Sequence, residues 1–179
     1  MPRILALSGS LRAAASSTAI VRTLARNLEG RATVETFDIR ALPHYDADLD
    51  PPEPVLALKA AITRADGLIV VTPEYNYSIP GVLKNAIDWA SRPAYGSPFR
   101  GKPVLVATVS GGALGGVRAQ AHLKYVLDGM LARVFTTKEI VVPHAPRKTE
   151  GGLLSDPDTE AFLMEAVEAF LASLTTAGA

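Results

Sequence analysis

Three short segments of this 179-residue chain collect the side chains best suited to bind or polarise a ligand. The first, Ser8-Gly9-Ser10-Leu11-Arg12-Ala13-Ala14-Ala15-Ser16-Ser17-Thr18, places a glycine turn, hydroxyls and one guanidinium ahead of a helical stripe. Free N–H groups at a helix start, the positive end of its dipole and a planar guanidinium all favour a phosphate. The competing reading is an ordinary N-cap, which needs only one of Ser16, Ser17 or Thr18 and leaves Arg12 and the Gly9-Ser10 turn unexplained. The chain has no Gly-Lys-Ser/Thr and no G-x-G-x-x-G after its first apolar run. Triphosphate and dinucleotide loops are therefore disfavoured, and a single terminal phosphate fits best.

The second segment is Thr72-Pro73-Glu74-Tyr75-Asn76-Tyr77-Ser78-Ile79-Pro80-Gly81. Prolines stiffen it, and its tyrosines, Asn and Glu suit a flat heteroaromatic ring. It reads equally as a proline-capped turn whose tyrosines cover the edge of the core. The third, Ser110-Gly111-Gly112-Ala113-Leu114-Gly115-Gly116, carries little side chain, so a ligand can approach its backbone closely; plain loop flexibility is the alternative. A phosphate at one end and a flat ring at the other describe a mononucleotide such as FMN. The chain has no cysteine and three widely spaced histidines, His44, His122 and His144. Thiol catalysis, Fe–S clusters and Cys-based metal sites drop out, and no structural metal is expected. Redox electrons would have to reside on a bound organic cofactor.

The elements that must position these segments follow from hydrophobic patterning. Continuous apolar runs at 3–8, 66–72, 103–109 and 138–142, with a weaker alternation at 32–37, read as strands. Helical stripes lie between them: Val21, Leu24, Ala25 and Leu28 within 18–28; Leu58, Ala61, Ile62 and Ala65 after Pro51, Pro52 and Pro54; Leu83, Ala86, Ile87 and Ala90; Leu123, Val126, Leu127, Met130 and Leu131. A last stripe, capped by Asp156-Pro157, carries Leu163, Ala166, Val167, Phe170, Leu171 and Leu174. Five strands alternating with five helices imply an α/β fold, an open doubly wound parallel sheet with helices on both faces. Eight βα units for a barrel do not fit this length. Ligands of such sheets bind at the carboxyl ends of the strands, where all three segments lie. Val82 and Trp89 fall off their helix's core stripe and are expected to form a subunit contact or extra core packing.

Composition narrows the function classes. Lys plus Arg and Asp plus Glu number 18 each, without the basic excess of a nucleic-acid binder. No apolar run approaches membrane-spanning length, and no secretion signal is seen. A cytoplasmic protein with a single domain over residues 1–179 is expected.

Gly9-Ser10-Leu11-Arg12 and Pro73-Glu74-Tyr75-Asn76-Tyr77-Ser78-Ile79-Pro80-Gly81-Val82-Leu83-Lys84-Asn85-Ala86-Ile87-Asp88-Trp89 closely resemble the NADPH-dependent FMN reductase family, nearest its bacterial quinone and chromate reductases. The likeness extends to Leu42-Pro43-His44-Tyr45-Asp46-Ala47-Asp48 and Gly115-Gly116-Val117-Arg118. It implies a flavodoxin-like fold, strand order 2-1-3-4-5, and FMN at the carboxyl edge. Ser10, Arg12, Ser16, Ser17 and Thr18 would then lie at the phosphate. Pro73, Glu74, Tyr75, Asn76 and Tyr77 would line the isoalloxazine, and Ser110 and Gly112 would close the far side. Where relatives read Arg-x-x-Ser-x-Asn, this chain has Ala15 and Ser17, which leaves backbone N–H groups and Arg12 to hold the phosphate.

The resemblance further implies hydride transfer from NADPH (or NADH) to FMN. Small-molecule electron acceptors such as quinones, azo compounds, ferric chelates or chromate then follow by a ping-pong mechanism. No obligatory side-chain acid or base is expected. Backbone N–H groups of Glu74–Tyr77 would serve the ring, and Tyr77, Arg92 and Tyr95 would shape the acceptor pocket of a homodimer or homotetramer. A flavodoxin-type electron carrier is the main alternative; such carriers are strongly acidic, unlike this chain. A non-redox nucleotide-binding module is the other.

Overall fold

The computed structural model describes residues 1–176. Strand β1 (Arg3–Ser8) pairs in parallel with β2 (Thr33–Thr36) on one side and β3 (Gly67–Pro73) on the other. Beyond β3 lies β4 (Pro103–Val109), and the far edge is made by β5 (Arg133–Val134) and β6 (Ile140–Val142). The order β2-β1-β3-β4-β5 is the one the family resemblance implies, in the doubly wound sheet expected from the patterning.

Alternate residues of the buried strands point to opposite faces, and each face is covered by its own helices. Leu5 and Leu7 pack with Leu68 and Val70 under α2 (Glu53–Arg64), α3 (Gly81–Ala90) and α4 (Val117–Gly129). Ile4 and Ala6 pack with Ile69 and Val71 under α1 (Ser16–Asn27) and α5 (Pro157–Thr176). Pro52 and Pro54 stand at the start of α2, where a missing N–H costs nothing. Asp156 accepts the Thr159 N–H at 3.0 Å at the start of α5. No helix among the described residues is long and apolar enough to cross a membrane.

The structure departs from the sequence expectation in three places. The fifth strand is divided: β4 advances three residues from the Val104–Val134 pair to the Ala107–Ile140 pair, while the edge advances six. The surplus loops out around the polar run Thr136-Thr137-Lys138-Glu139, so 138–139 are not strand. The connection at 143–156 is not irregular throughout, since Thr149–Glu150 and Leu153–Leu154 form a small hairpin, β7-β8, against α1. Finally, Trp89 is only 2% exposed. The 41–54 connection folds over α3, where the Pro43 carbonyl accepts the Trp89 indole N–H at 2.8 Å and Tyr45 meets the ring edge-on. Val82 is half-buried against the same core, so of the two readings of this pair the structure supports extra core packing, fully for Trp89 and in part for Val82.

Candidate functional site

The turn after β1 is shaped by contact with β3. Gly9 donates its N–H to the Val71 carbonyl at 2.8 Å, and a Cβ there would lie 2.2 Å from Thr72 Oγ1. Only glycine lets the turn lie so close to the neighbouring strand. Beyond it, the Ser10 N–H reaches Ser8 Oγ at 3.4 Å and the Arg12 N–H reaches Ser10 Oγ at 3.3 Å.

Helix α1 starts at Ser16, two residues before the expected boundary, and its N-cap is Ala15, which offers no side-chain acceptor. The ordinary N-cap reading of this segment is thereby removed. Ser17 and Thr18 place their hydroxyls against Ser8 Oγ, each at 3.0 Å, behind the turn. Their main-chain N–H groups, and that of Ser16, have no acceptor among the described residues. The first turn has no acidic residue, and the exposed Arg12 guanidinium has no ion-pair or hydrogen-bond partner among the described residues. A helix start of this kind, with its dipole uncompensated and a free guanidinium beside it, is built for an anion.

The segment after β3 closes on itself as a tight hairpin. Tyr75 and Ser78 exchange backbone hydrogen bonds at 2.9 and 3.0 Å, and the two residues between them, Asn76 and Tyr77, have φ of 49° and 68°. Two positive φ angles between paired residues are the mark of a type I′ turn. The Glu74 N–H is spent on the Val109 carbonyl and that of Tyr75 on Ser78. Of the four backbone donors expected to serve a ring, those of Asn76 and Tyr77 therefore stay available. The Tyr75 hydroxyl lies 3.3 Å from Ser10 Oγ and ties this hairpin to the first turn.

The glycine-rich segment is held in place. Ser110 donates its N–H to the Val142 carbonyl and accepts that of Ala145, and the Gly112 carbonyl accepts the His144 N–H. Gly115 and Gly116, with φ of 61° and 89°, lie where a Cβ would stand 2.9 Å from Val142 N and from Thr108 Cβ respectively. These two glycines serve close packing on β6 and β4 rather than ligand approach.

All three segments open onto one groove of about 130 Å³. Ser10, Arg12, Ser16, Ser17, Pro73, Glu74, Tyr75 and Ser110 of the sequence-derived set line it, together with Ala15, Val109, Gly111, Ala145 and Pro146. Gly111 stands where Gly112 was expected, because the Gly112 N–H turns back to Ser110 Oγ at 3.1 Å. Ala145 and Pro146 carry no chemical signal in the sequence; only the fold of 143–148 onto Ser110 brings them in. Asn76 and Tyr77 are outside the groove on the hairpin tip, and Thr18 faces a second cavity beyond the turn. Arg92 lies elsewhere, donating its Nε–H to the Tyr45 hydroxyl at 2.9 Å in a depression with Trp89. Tyr95 is 68% exposed, as Tyr77 is at 67%.

Arg118, at the start of α4, was not singled out for the site by sequence, yet it ties the segment after β3 to that helix. Its guanidinium carbon stands 4.4 Å from the centre of the Tyr77 ring, and its Nη1 lies 3.4 Å from Glu74 Oε1. No group of three or more His, Asp or Glu able to hold a metal ion is found among the described residues.

Comparison with known proteins bears on this groove. The family model described as NADPH-dependent FMN reductase matches residues 2–147. A quinone reductase of Escherichia coli strain K12 is 42% identical over 144 residues, covering 78% of this chain and 76% of that protein. A 2-hydroxy-1,4-benzoquinone reductase of a Burkholderia species is 37% identical over 174 residues, 95% of this chain and 94% of its own length. Among solved structures, the flavoenzyme NAD(P)H:(acceptor) oxidoreductase FerB of Paracoccus denitrificans superposes with a TM-score of 0.88 at 36% identity, over 98% of both chains.

Proposed function

Because the chain belongs to the NADPH-dependent FMN reductase family, we propose that it is a cytoplasmic NAD(P)H-dependent oxidoreductase that holds FMN in the groove and reduces small quinones, azo compounds or chromate. The observation carrying this reading is the uncapped, acid-free start of α1 with the unpaired Arg12 beside it, opening onto a groove shared by all three segments.

The residues present fit the phosphate end of the cofactor, and the groove of about 130 Å³ encloses only part of FMN, leaving its ring end to the open hairpin side. Main-chain N–H groups of Ser16, Ser17 and Thr18 and the Arg12 guanidinium would take its phosphate, with Ser10 alongside. Pro73, Glu74, Tyr75 and Ser110 follow along the groove, with the exposed hairpin tip at Asn76 and Tyr77 beyond. When bound, FMN supplies a centre that accepts a hydride from NAD(P)H and yields it to a second substrate.

The chain's own part is to bind and orient. The Asn76 and Tyr77 N–H groups are unspent donors on a stiff turn, fixed before any ligand arrives, as electrostatic stabilisation of a developing anion requires. Tyr75 is 43% exposed and Tyr77 more so, so the ring end of the site is open. An open site admits a coenzyme and an acceptor in turn, and tolerates acceptors of varied shape.

The test is steady-state kinetics of FMN-loaded protein with NADPH and a benzoquinone varied together. Parallel double-reciprocal lines are expected. Intersecting lines contradict alternating use of one site, and a protein that neither quenches FMN fluorescence nor oxidises NADPH or NADH overturns the reading.

A further inference from the structure

We propose that the chain carries a second nucleotide subsite, a cavity for a phosphorylated adenosine between the carboxyl ends of β1 and β2. The idea rests on the mononucleotide groove only in that the two are neighbours: Ser10 and Arg12 line both, so the turn after β1 is their common wall.

This cavity, about 360 Å³, falls in the range of small-ligand clefts. Its walls include the apolar Val21 and the ring of Phe37, and its charged members are Arg12, Arg22, Arg40 and Asp38. Three guanidinium groups face one carboxylate there. None of the three arginines forms a salt bridge among the described residues, whereas Arg26, further along α1, pairs with Glu160 and Arg31 pairs with Glu168. The Arg12 and Arg22 guanidinium groups have no hydrogen-bond or ion-pair partner among the described residues, which leaves both for an anion supplied from outside.

The geometry at the end of β2 adds chemistry to charge. Asp38 accepts the Arg40 N–H at 2.9 Å through Oδ1, which leaves Oδ2 open. Arg40 is anchored by donating from Nη2 to the Leu11 carbonyl at 2.5 Å, so the rest of its guanidinium is held beside the turn. In the dinucleotide-binding doubly wound sheets, whose glycine fingerprint this chain lacks, an acidic side chain at the corresponding place binds ribose hydroxyls, and a neighbouring arginine accepts a ribose phosphate. Here both stand two residues apart, over an apolar wall able to take a base.

A phosphorylated adenosine occurs in both the AMP half of a flavin dinucleotide and the 2′-phosphoadenosine half of NADPH. The experiment titrates the FMN-saturated full chain with 5′-AMP and with 2′,5′-ADP by calorimetry, then repeats it with Arg22→Glu and Arg40→Gln. Saturable one-to-one binding is expected, weakened at least about tenfold by either substitution (1.4 kcal/mol or more). FMN fluorescence quenching is expected to be unchanged in Arg22→Glu, whose side chain lies outside the groove. Tighter binding of 2′,5′-ADP, with a higher KM for NADPH but not NADH in Arg22→Glu, assigns the cavity to the coenzyme. Equal binding of both probes, with FAD held more tightly than FMN by cofactor-free protein and that advantage lost in Arg22→Glu, assigns it to a flavin dinucleotide. A protein that quenches FMN but binds neither probe overturns the inference alone, as does binding that neither substitution changes. Failure to quench FMN removes the groove reading instead.

Discussion

Glu74 and Arg118 join the hairpin after β3 to the start of α4. One carboxylate oxygen of Glu74 accepts the backbone N–H of Arg118 at 3.1 Å and of Ala119 at 3.2 Å, and the other faces the Arg118 guanidinium at 3.4 Å. Glu74 thus caps a helix while lining the groove, and its negative charge meets the positive end of the α4 dipole. Glu74→Gln keeps the shape and an acceptor but loses the charge. It is expected to lower stability by about 1 kcal/mol, read as a shifted urea midpoint at unchanged slope. A midpoint equal to wild type would show that the cap contributes nothing.

Tyr77 sits at a φ of 68°, which costs a non-glycine residue about 1–2 kcal/mol. Its ring returns part of this through the Arg118 guanidinium, worth about 0.5–1 kcal/mol at an exposed site. Tyr77→Gly is therefore expected to leave stability unchanged or to raise it by up to about 1 kcal/mol, while raising the KM for quinone. Asn76→Gly should gain less, since asparagine tolerates this conformation. A large loss of stability in Tyr77→Gly would show that the ring, not the turn, dominates.

Gly9→Ala should be costly although its φ is not positive. The added Cβ would meet Thr72 Oγ1 at 2.2 Å and Thr72 Cβ at 2.7 Å, and the Gly9 N–H bond to Val71 resists retreat. A loss of about 1–3 kcal/mol is expected, together with weaker FMN binding as the turn shifts. Thr72→Ala in the same chain should restore part of both, because it removes the nearer of the two atoms.

The strands, the helices and most of the groove were legible because their signals are local, whereas the strand order followed only from the family resemblance. A continuous apolar run such as Leu68–Val71 buries itself on both faces whatever surrounds it, and Gly9 announces a turn by its type. What escaped depends on long-range folding. Trp89 lies off its own helix's stripe and becomes core only because Pro43 and Tyr45 arrive from another connection. Ala145 and Pro146 reach the groove through the Ser110 hydrogen bond, which no periodicity encodes. Glu74 was expected at a ring and lines the groove; its hydrogen bonds to Arg118 and Ala119, 44 and 45 positions away, are what no local pattern shows.

Asp156 gives the fold a marker in acid. Thr159 donates its hydroxyl and then its backbone N–H to the carboxylate, with Lys148 adding a smaller attraction, and these hold the group below its ordinary value of 3.8. All three favour the ionised form, so the unfolded chain binds the proton more readily. The stabilisation is complete above pH 3.8 and is lost as the pH falls through the lower folded value. Thermal midpoints of wild type and Asp156→Asn should differ at pH 6 and converge as the pH drops below 3.8. A gap independent of pH would mean that the ionised form gains nothing from Thr159.

Arg12 separates binding from folding. Its side chain is exposed and has no protein partner among the described residues, so Arg12→Ala should alter stability by less than about 0.5 kcal/mol. If its guanidinium takes the FMN phosphate, the lost charge-assisted bonds are worth about 1.5–3 kcal/mol, or roughly 10- to 150-fold in the dissociation constant. Arg12→Lys should fall between, because an ammonium keeps the charge but not the planar fork. Inorganic phosphate should compete with FMN in wild type and much less in Arg12→Ala. Fluorescence titration of cofactor-free protein measures all of these. An Arg12→Ala protein that folds normally and binds FMN as tightly as wild type would place the phosphate away from the start of α1.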